Sequence, residues 1–324
     1  MVLGLRAYNT SKYKPDNYNP DEDLKATDLS QYDMNVEGVE VSRIEGDYLN
    51  GFRLIPNEKT HPGVVITFGG YEGSPNYEAG KAFSQNGYEV LSLFFFGMEN
   101  QKKELMEVPL ELFDEVLQYI SDNIEDGEII TIYGGSKGAE LGLNLATRYS
   151  EIDNLILMAP AEFSYMGLSF EDFNQMNSSW TWKGEEVPYI NMQAGNSSDG
   201  FNLFKSFLLN EPVAYRPGYE SAAKGDENKE EARIKVENTD ANIVLIAGDD
   251  DNMWQSEVAA ENIYTKRPEN TEVFIYEGAG HIFVGDRFMY TSGMTLDMGG
   301  NKEANEKAFN ESNKVIMDKL SEWH

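Results

Sequence analysis

The residues best suited to chemistry are Gly134-Gly135-Ser136-Lys137-Gly138. They follow a wholly apolar run, 129–133, and precede a helical spacing of small and apolar residues at Ala139, Gly142, Leu143 and Ala146. A Gly-x-Ser-x-Gly between a buried strand and a helix holds its serine on a sharp turn, with the hydroxyl clear of the backbone. The helix N-terminus that follows favours the negative charge that forms when this oxygen attacks a carbonyl. Ser136 is the candidate nucleophile.

A serine hydroxyl needs a base to take its proton. The chain holds three histidines. His61 precedes Pro62 at the mouth of an apolar run, and His324 is the final residue of the sequence. His281 sits in Glu277-Gly278-Ala279-Gly280-His281, just past the last apolar run, and is the candidate base. The imidazole in turn needs a carboxylate to fix its tautomer. The run 243–247 leads into Gly248-Asp249-Asp250-Asp251. An acid three residues past the glycine is the usual arrangement, which selects Asp251, with Asp250 as the alternative. Attack also creates an oxyanion that calls for two backbone N–H donors. One is expected at Lys137, and the other in Gly69-Gly70-Tyr71-Glu72-Gly73, where Gly70 and Tyr71 are both candidates.

Such a constellation requires a sheet whose strand ends bring distant loops together. After Pro62 the chain supplies six short apolar runs, at 64–68, 90–96, 129–133, 155–158, 243–247 and 273–276. They lack alternation, as strands buried on both faces do. Helical periods lie between them, including Phe113, Val116, Leu117 and Ile120. Repeated strand and helix imply a mostly parallel sheet covered on both sides. Upstream, Val39, Val41 and Ile44 and then Tyr48, Phe52 and Leu54 straddle Glu45-Gly46-Asp47, which predicts an antiparallel hairpin. An antiparallel start followed by six parallel strands, with serine, aspartate and histidine in that order, is the α/β-hydrolase arrangement. Residues 1–35 show no sustained period and are expected to form an extended arm, with a single catalytic domain over 36–324. The long gap between the fourth and fifth runs marks residues 161–235 as an insertion. As a lid it would offer Phe163, Phe173, Trp180 and Trp182 to line a substrate pocket.

Composition removes several alternatives. With no cysteine, disulfides, thiolate zinc sites, iron–sulfur clusters and cysteine nucleophiles are excluded, and three histidines spread along the sequence offer few ligands for a multi-histidine metal centre. No metal or cofactor is expected. Lys plus Arg number 26 against 56 Asp plus Glu, a formal charge of -30, which repels nucleic acid and anionic membrane. No run is long enough to span a bilayer, and Met-Val-Leu-Gly-Leu-Arg is too short for a signal peptide's apolar region. The expected compartment is the cytoplasm, a leader or anchor removed ahead of residue 1 aside.

Several blocks together resemble one family. They are Glu-Val-Pro-Leu-Glu-Leu-Phe (107–113), Gly-Gly-Ser-Lys-Gly-Ala-Glu (134–140), Ser-Trp-Thr-Trp-Lys-Gly (179–184), Gly-Asp-Asp-Asp-Asn-Met-Trp-Gln-Ser (248–256) and Gly-Ala-Gly-His (278–281). In this order they look like the C-terminal catalytic domain of the acyl-CoA thioester hydrolases and bile acid-CoA:amino acid N-acyltransferases. The resemblance runs from about His61 onward and implies Ser136, Asp251 and His281 as a triad. It implies an acyl-CoA or simple acyl ester as the small-molecule substrate. The acyltransferase branch looks to use a cysteine nucleophile, so serine here points to hydrolysis. A CoA substrate would call for cations at the mouth, for which Lys81, Lys102, Lys103 and Lys137 are the candidates. The contrasting reading is a binding or scaffold protein that keeps this fold without turnover.

Overall fold

A computed structural model describes residues 2–19, 25–169 and 175–324. The chain begins with helix α1 (Val2–Tyr13), then makes the hairpin β1 (Val39–Glu45) and β2 (Asn50–Pro56). The apolar runs follow as β3 (Val64–Phe68), helix α2 (Tyr77–Gln85) and β4 (Val90–Leu93). A two-residue strand β5 (Val108–Pro109) and α3 (Leu112–Asn123) lead to β6 (Ile130–Gly135), α4 (Lys137–Ala146) and β7 (Asn154–Met158). The next segment holds β8 (Trp180–Trp182), β9 (Glu185–Glu186), α5 (Ser197–Leu209), α6 (Arg216–Gly225) and α7 (Lys229–Ala232). The sheet resumes with β10 (Asn242–Gly248), α8 (Ser256–Lys266) and β11 (Thr271–Tyr276), followed by the hairpin β12 (Phe288–Thr291) and β13 (Met294–Asp297) and by α9 (Lys302–Trp323).

Eight of these strands form one sheet in the order β1-β2-β4-β3-β6-β7-β10-β11. The pairs β1–β2 and β2–β4 are antiparallel, and every later pair is parallel. This is the α/β-hydrolase fold. Because successive side chains of a strand point to opposite faces, the apolar runs feed two cores. Val64, Ile66 and Phe68, with Ile132, Leu155, Leu157 and Leu245, pack with Phe113 and Val116 of α3 and Leu141 and Leu145 of α4. Val65, Ile156, Val244 and Ile246 face the other way, onto Tyr77 and Phe83 of α2 and Ile316 and Leu320 of α9. Each such aliphatic side chain, fully withdrawn from water, contributes roughly 1.5–3 kcal/mol. All the carboxyl ends of the parallel strands open on one edge, where the long loops gather.

Two elements differ from the sequence-based expectation. The expected extended arm is helical over Val2–Tyr13. No residue of α1 is buried, so no apolar stripe marked it in the sequence. It rests on α5 through Asn9 Nδ2–H to the Leu209 carbonyl (2.9 Å) and Asn210 Nδ2–H to Thr10 Oγ1 (2.9 Å). The run at 90–96 leaves the sheet after Leu93. Phe94 and Phe95 are nonetheless buried, one in each core, which is why their stretch read as strand. Among the described residues no helix is long and apolar enough to cross a membrane.

Candidate active site

The turn from β6 into α4 carries Ser136 at φ 53° and ψ −117°. A side-chain-bearing residue rarely occupies this region, and its neighbours hold it there. Ser136 N–H donates to Met158 O (2.9 Å), and Ser136 O accepts the Ala139 and Glu140 N–H groups at 2.9 and 3.1 Å. The flanking glycines are sites of close backbone approach. A Cβ on Gly134 would stand 2.4 Å from Gly138 O, and one on Gly138 would stand 2.2 Å from Gly69 O. The motif's spacing is thus a packing requirement as well as a turn.

His281 extends from the loop after β11 and Asp251 from the loop after β10. His281 Nε2 lies 2.9 Å from Ser136 Oγ, and His281 Nδ1 lies 2.8 Å from Asp251 Oδ2. An ionised carboxylate only accepts, so Nδ1 carries the proton and Nε2 is left to accept from the serine. Asp251 is wholly buried. Its Oδ1 accepts the Met253 and Trp254 N–H groups at 2.8 and 3.2 Å, and its Oδ2 also accepts the Ser256 hydroxyl at 2.6 Å. These donors hold the buried charge that would otherwise be costly. Asp250 points elsewhere: Oδ2 accepts the Gly300 N–H (3.0 Å) and lies 3.7 Å from Arg287. Asp249 accepts the Gly278 N–H at 2.6 Å. Of the three adjacent acids, Asp251 alone meets the imidazole. The other two histidines lie together elsewhere. His61 stacks on Tyr88 (centroids 4.1 Å apart), and His324 Nδ1 donates to Pro62 O (2.6 Å).

Lys137 opens α4, and the first N–H groups of a helix have no acceptor within it. Gly70 comes close from the loop after β3: a Cβ there would stand 3.3 Å from Ser136 Cβ. Its N–H donates at 3.0 Å to Glu72 Oε1. The Lys137 side chain, considered above for the mouth, is instead buried. Nζ donates to Glu140 Oε2 (2.8 Å) and to Ser179 Oγ (3.1 Å). Glu140 Oε1 accepts Tyr165 N–H (3.0 Å) and Trp180 Nε1–H (2.7 Å). Burial pushes the Lys137 ammonium below its ordinary pKa, and the Glu140 carboxylate opposes that shift.

Over residues 108–285, more than half of the chain, the sequence matches the family described as BAAT / acyl-CoA thioester hydrolase C terminal. The chain belongs to this family. Ser136, Asp251 and His281 all fall inside the matched span. Mouse mitochondrial acyl-coenzyme A thioesterase 2 is 25% identical over 258 residues, covering 76% of this chain and 51% of the relative. Mouse peroxisomal succinyl-coenzyme A thioesterase is 26% identical over 233 residues, covering 70% and 50% respectively. The chain thus spans about half the length of these curated relatives. Among solved structures, a Pyrococcus furiosus esterase superposes with a TM-score of 0.50 at 14% identity, with 96% of each chain covered. At that identity the likeness bears on the fold alone.

In this member of the BAAT / acyl-CoA thioester hydrolase C-terminal family the insertion's aromatics are placed differently from the sequence-based expectation. Trp180 is fully buried against Phe95 (5.8 Å), because its indole N–H serves Glu140. Trp182 packs on Tyr149 (5.7 Å) and beneath the Arg148 guanidinium (5.6 Å). Phe163 borders a cavity of about 490 Å³ lined also by Glu162, Lys229 and Arg233, which reaches neither Ser136 nor His281. Phe173 lies outside the described residues. The aromatic beside the imidazole is Trp254, edge-on to His281 at 5.9 Å. Trp254 stacks on Tyr165 (5.8 Å) and meets Tyr219 edge-on (5.6 Å). Burial raises the pKa of both phenols, so they stay neutral. Trp254 was detectable, three residues past Asp251 in the same loop, whereas Tyr165 and Tyr219 carry no sequence signal. Of the other lysines considered for the mouth, Lys81 pairs with Glu78 (2.5 Å) and Lys102 lies 4.0 Å from Glu107. Among the described residues no cluster of three or more His, Asp or Glu could hold a metal ion.

Proposed function

We propose that this chain hydrolyses acyl thioesters or carboxylic esters through an acyl-Ser136 intermediate. The observation that carries the reading is the unbroken hydrogen-bond chain from Ser136 Oγ through His281 to buried Asp251. Ser136 Oγ attacks the acyl carbonyl carbon while its proton passes to His281 Nε2. The oxyanion takes the Lys137 N–H and an N–H of Gly70 or Tyr71. The carbon–sulfur or carbon–oxygen bond to the leaving group then breaks, and Nε2 returns the proton to the departing thiolate or alkoxide. Water, deprotonated by His281, attacks the acyl-enzyme and releases the acid and free Ser136. Asp251 keeps Nδ1 protonated and stabilises the imidazolium in both halves.

Small acyl esters and thioesters are favoured over acyl-CoA. Both arginines of the insertion and one of its lysines are engaged by acids: Arg216 with Glu257 and Glu220, Lys205 with Glu211, Arg233 with Glu237 and Glu230. Cations so engaged are withdrawn from CoA phosphates, and the charge of -30 slows a polyanion's approach.

The test is the Ser136→Ala variant together with a fluorophosphonate probe. Wild type should label at Ser136, and the variant should lose kcat/KM by roughly 10⁴-fold or more. Folded wild type that neither labels nor turns over would favour the scaffold reading instead. A chain-length series of acyl-CoAs against matched simple esters then ranks the substrates. A tenfold CoA advantage, ~1.4 kcal/mol, overturns the small-substrate preference.

A further inference from the structure

The turn after β3 carries an acid close to the reacting serine and outside any ion pair among the described residues. Glu72 is exposed, yet its carboxylate folds back on its own loop, where Oε1 accepts the Gly70 N–H at 3.0 Å and the Ser74 hydroxyl. Among the described residues no ion pair neutralises it. Lys137 is engaged by Glu140 and Arg216 by Glu257. Its distance from the chemistry is short: the point where a Gly70 Cβ would stand is 2.8 Å from Glu72 Oε2 and 3.3 Å from Ser136 Cβ.

We propose that Glu72 sets the charge of the acyl group accepted here: neutral or cationic groups are taken, and acyl groups bearing a carboxylate are rejected. This rests on the reading of Ser136 as nucleophile. In the resting site the Glu72 carboxylate occupies a donor that a developing oxyanion would use. A substrate carbonyl has to displace it, and the displaced carboxylate, tied to the same short turn, stays beside the acyl chain. Like charges held this close repel, and because Glu72 is exposed the repulsion is screened by salt. A cation on the acyl chain instead gains the partner that Glu72 lacks. The same logic distinguishes a filter from a turn brace. A brace would affect all substrates alike, whereas a filter changes their ratios.

The experiment uses three S-ethyl thioesters of matched length, the butyryl, monosuccinyl and 4-trimethylammoniobutyryl forms, with spontaneous rates subtracted. Wild type should prefer butyryl over monosuccinyl by at least tenfold in kcat/KM and accept the trimethylammonio form as well as or better than butyryl. In Glu72→Gln, whose amide oxygen still accepts the Gly70 N–H, the gap against monosuccinyl should close by tenfold or more. Raising salt with wild type should narrow the same gap, a readout that needs no variant to fold. Ratios unmoved by Glu72→Gln and by salt, or all three substrates shifted by one factor, overturn the proposal. If an uncharged fluorophosphonate still labels Ser136 in that case, the hydrolase reading stands and only the role of Glu72 falls. Absence of both labelling and turnover sinks the two together.

Discussion

Lys137 Nζ lies 2.8 Å from Glu140 Oε2, one turn along the helix that Ser136 begins, and both side chains are shielded from solvent. Two charges taken from water in this way are tolerated because each is also hydrogen-bonded, to Ser179 on one side and to Tyr165 and Trp180 on the other. Removing one partner leaves a buried charge alone. Lys137→Met should therefore cost about 3–5 kcal/mol of stability. The double variant Lys137→Met/Glu140→Gln should recover much of it, since the amide oxygen can still accept from Tyr165 and Trp180. Urea midpoints of the three proteins test this. A single-variant loss below about 1 kcal/mol would mean that the pair contributes nothing beyond its surroundings.

The contrasting environments of Asp251 and Asp250 lead to a second expectation. Asp251→Asn should lower kcat by roughly 10²- to 10⁴-fold, because an amide no longer forces the proton onto His281 Nδ1. Asp250→Asn, which keeps an acceptor for the Gly300 N–H, should stay within about threefold of wild type, the change of under 1 kcal/mol expected away from the reacting groups. Steady-state rates on one activated ester decide the matter. Equal losses in both variants would remove the distinction between the two carboxylates.

Gly138→Ala probes the elbow itself. The added methyl would lie 2.2 Å from Gly69 O and 2.9 Å from Phe68 O, both backbone atoms with no side chain to rotate away. The expected cost is several kcal/mol or a displaced oxyanion loop, either of which removes activity. By contrast, Gly135→Ala meets nothing within 4 Å and should leave the melting temperature nearly unchanged. Thermal melts of the two variants provide the comparison, and equal melting temperatures would contradict it.

His324 supplies a pH-dependent stability test. Its pKa is lowered from 6.5, chiefly by burial. Between the folded value and 6.5 the unfolded chain therefore binds more protons, and stability falls as pH drops through that window. The stability difference between wild type and His324→Gln should be larger at pH 8 than at pH 5. Guanidinium midpoints at the two pH values measure it. A difference that is constant or grows toward acid contradicts the assignment.

Much of this architecture could be read from residue order because burial on both faces of a strand leaves no polar positions to confuse the pattern. The six parallel strands, the elbow at Ser136 and the imidazole of His281 were legible for that reason, the last through the scarcity of histidine. Asp251 could be preferred but not separated from Asp250, since which of two adjacent acids turns inward depends on loop hydrogen bonds to Gly300 and Ser256. The insertion was less legible. Hydrophobicity says that Trp180 is buried, but only the indole's bond to Glu140 determines that it lies in the core and away from a pocket. Lysine at position 137 reads as surface until its carboxylate one turn on is found to be buried with it. Glu72 gave no signal at all, because its role depends on a two-residue turn geometry.

The place of β10 in the sheet has a consequence for the time course of folding. Ile243 pairs with Leu155 of β7, so the whole insertion must be looped out before the second half of the sheet can dock. Closing a loop of this size costs about 4 kcal/mol, whereas β6, α4 and β7 are consecutive and assemble from local contacts. During synthesis, too, Ser136 leaves the ribosome well ahead of Asp251 and His281. On the proposed mechanism a nascent chain thus presents its hydroxyl before its base, and stays unreactive toward esters until the second half of the sheet docks. In refolding from denaturant, phosphonate reactivity should accordingly appear after tryptophan burial is complete.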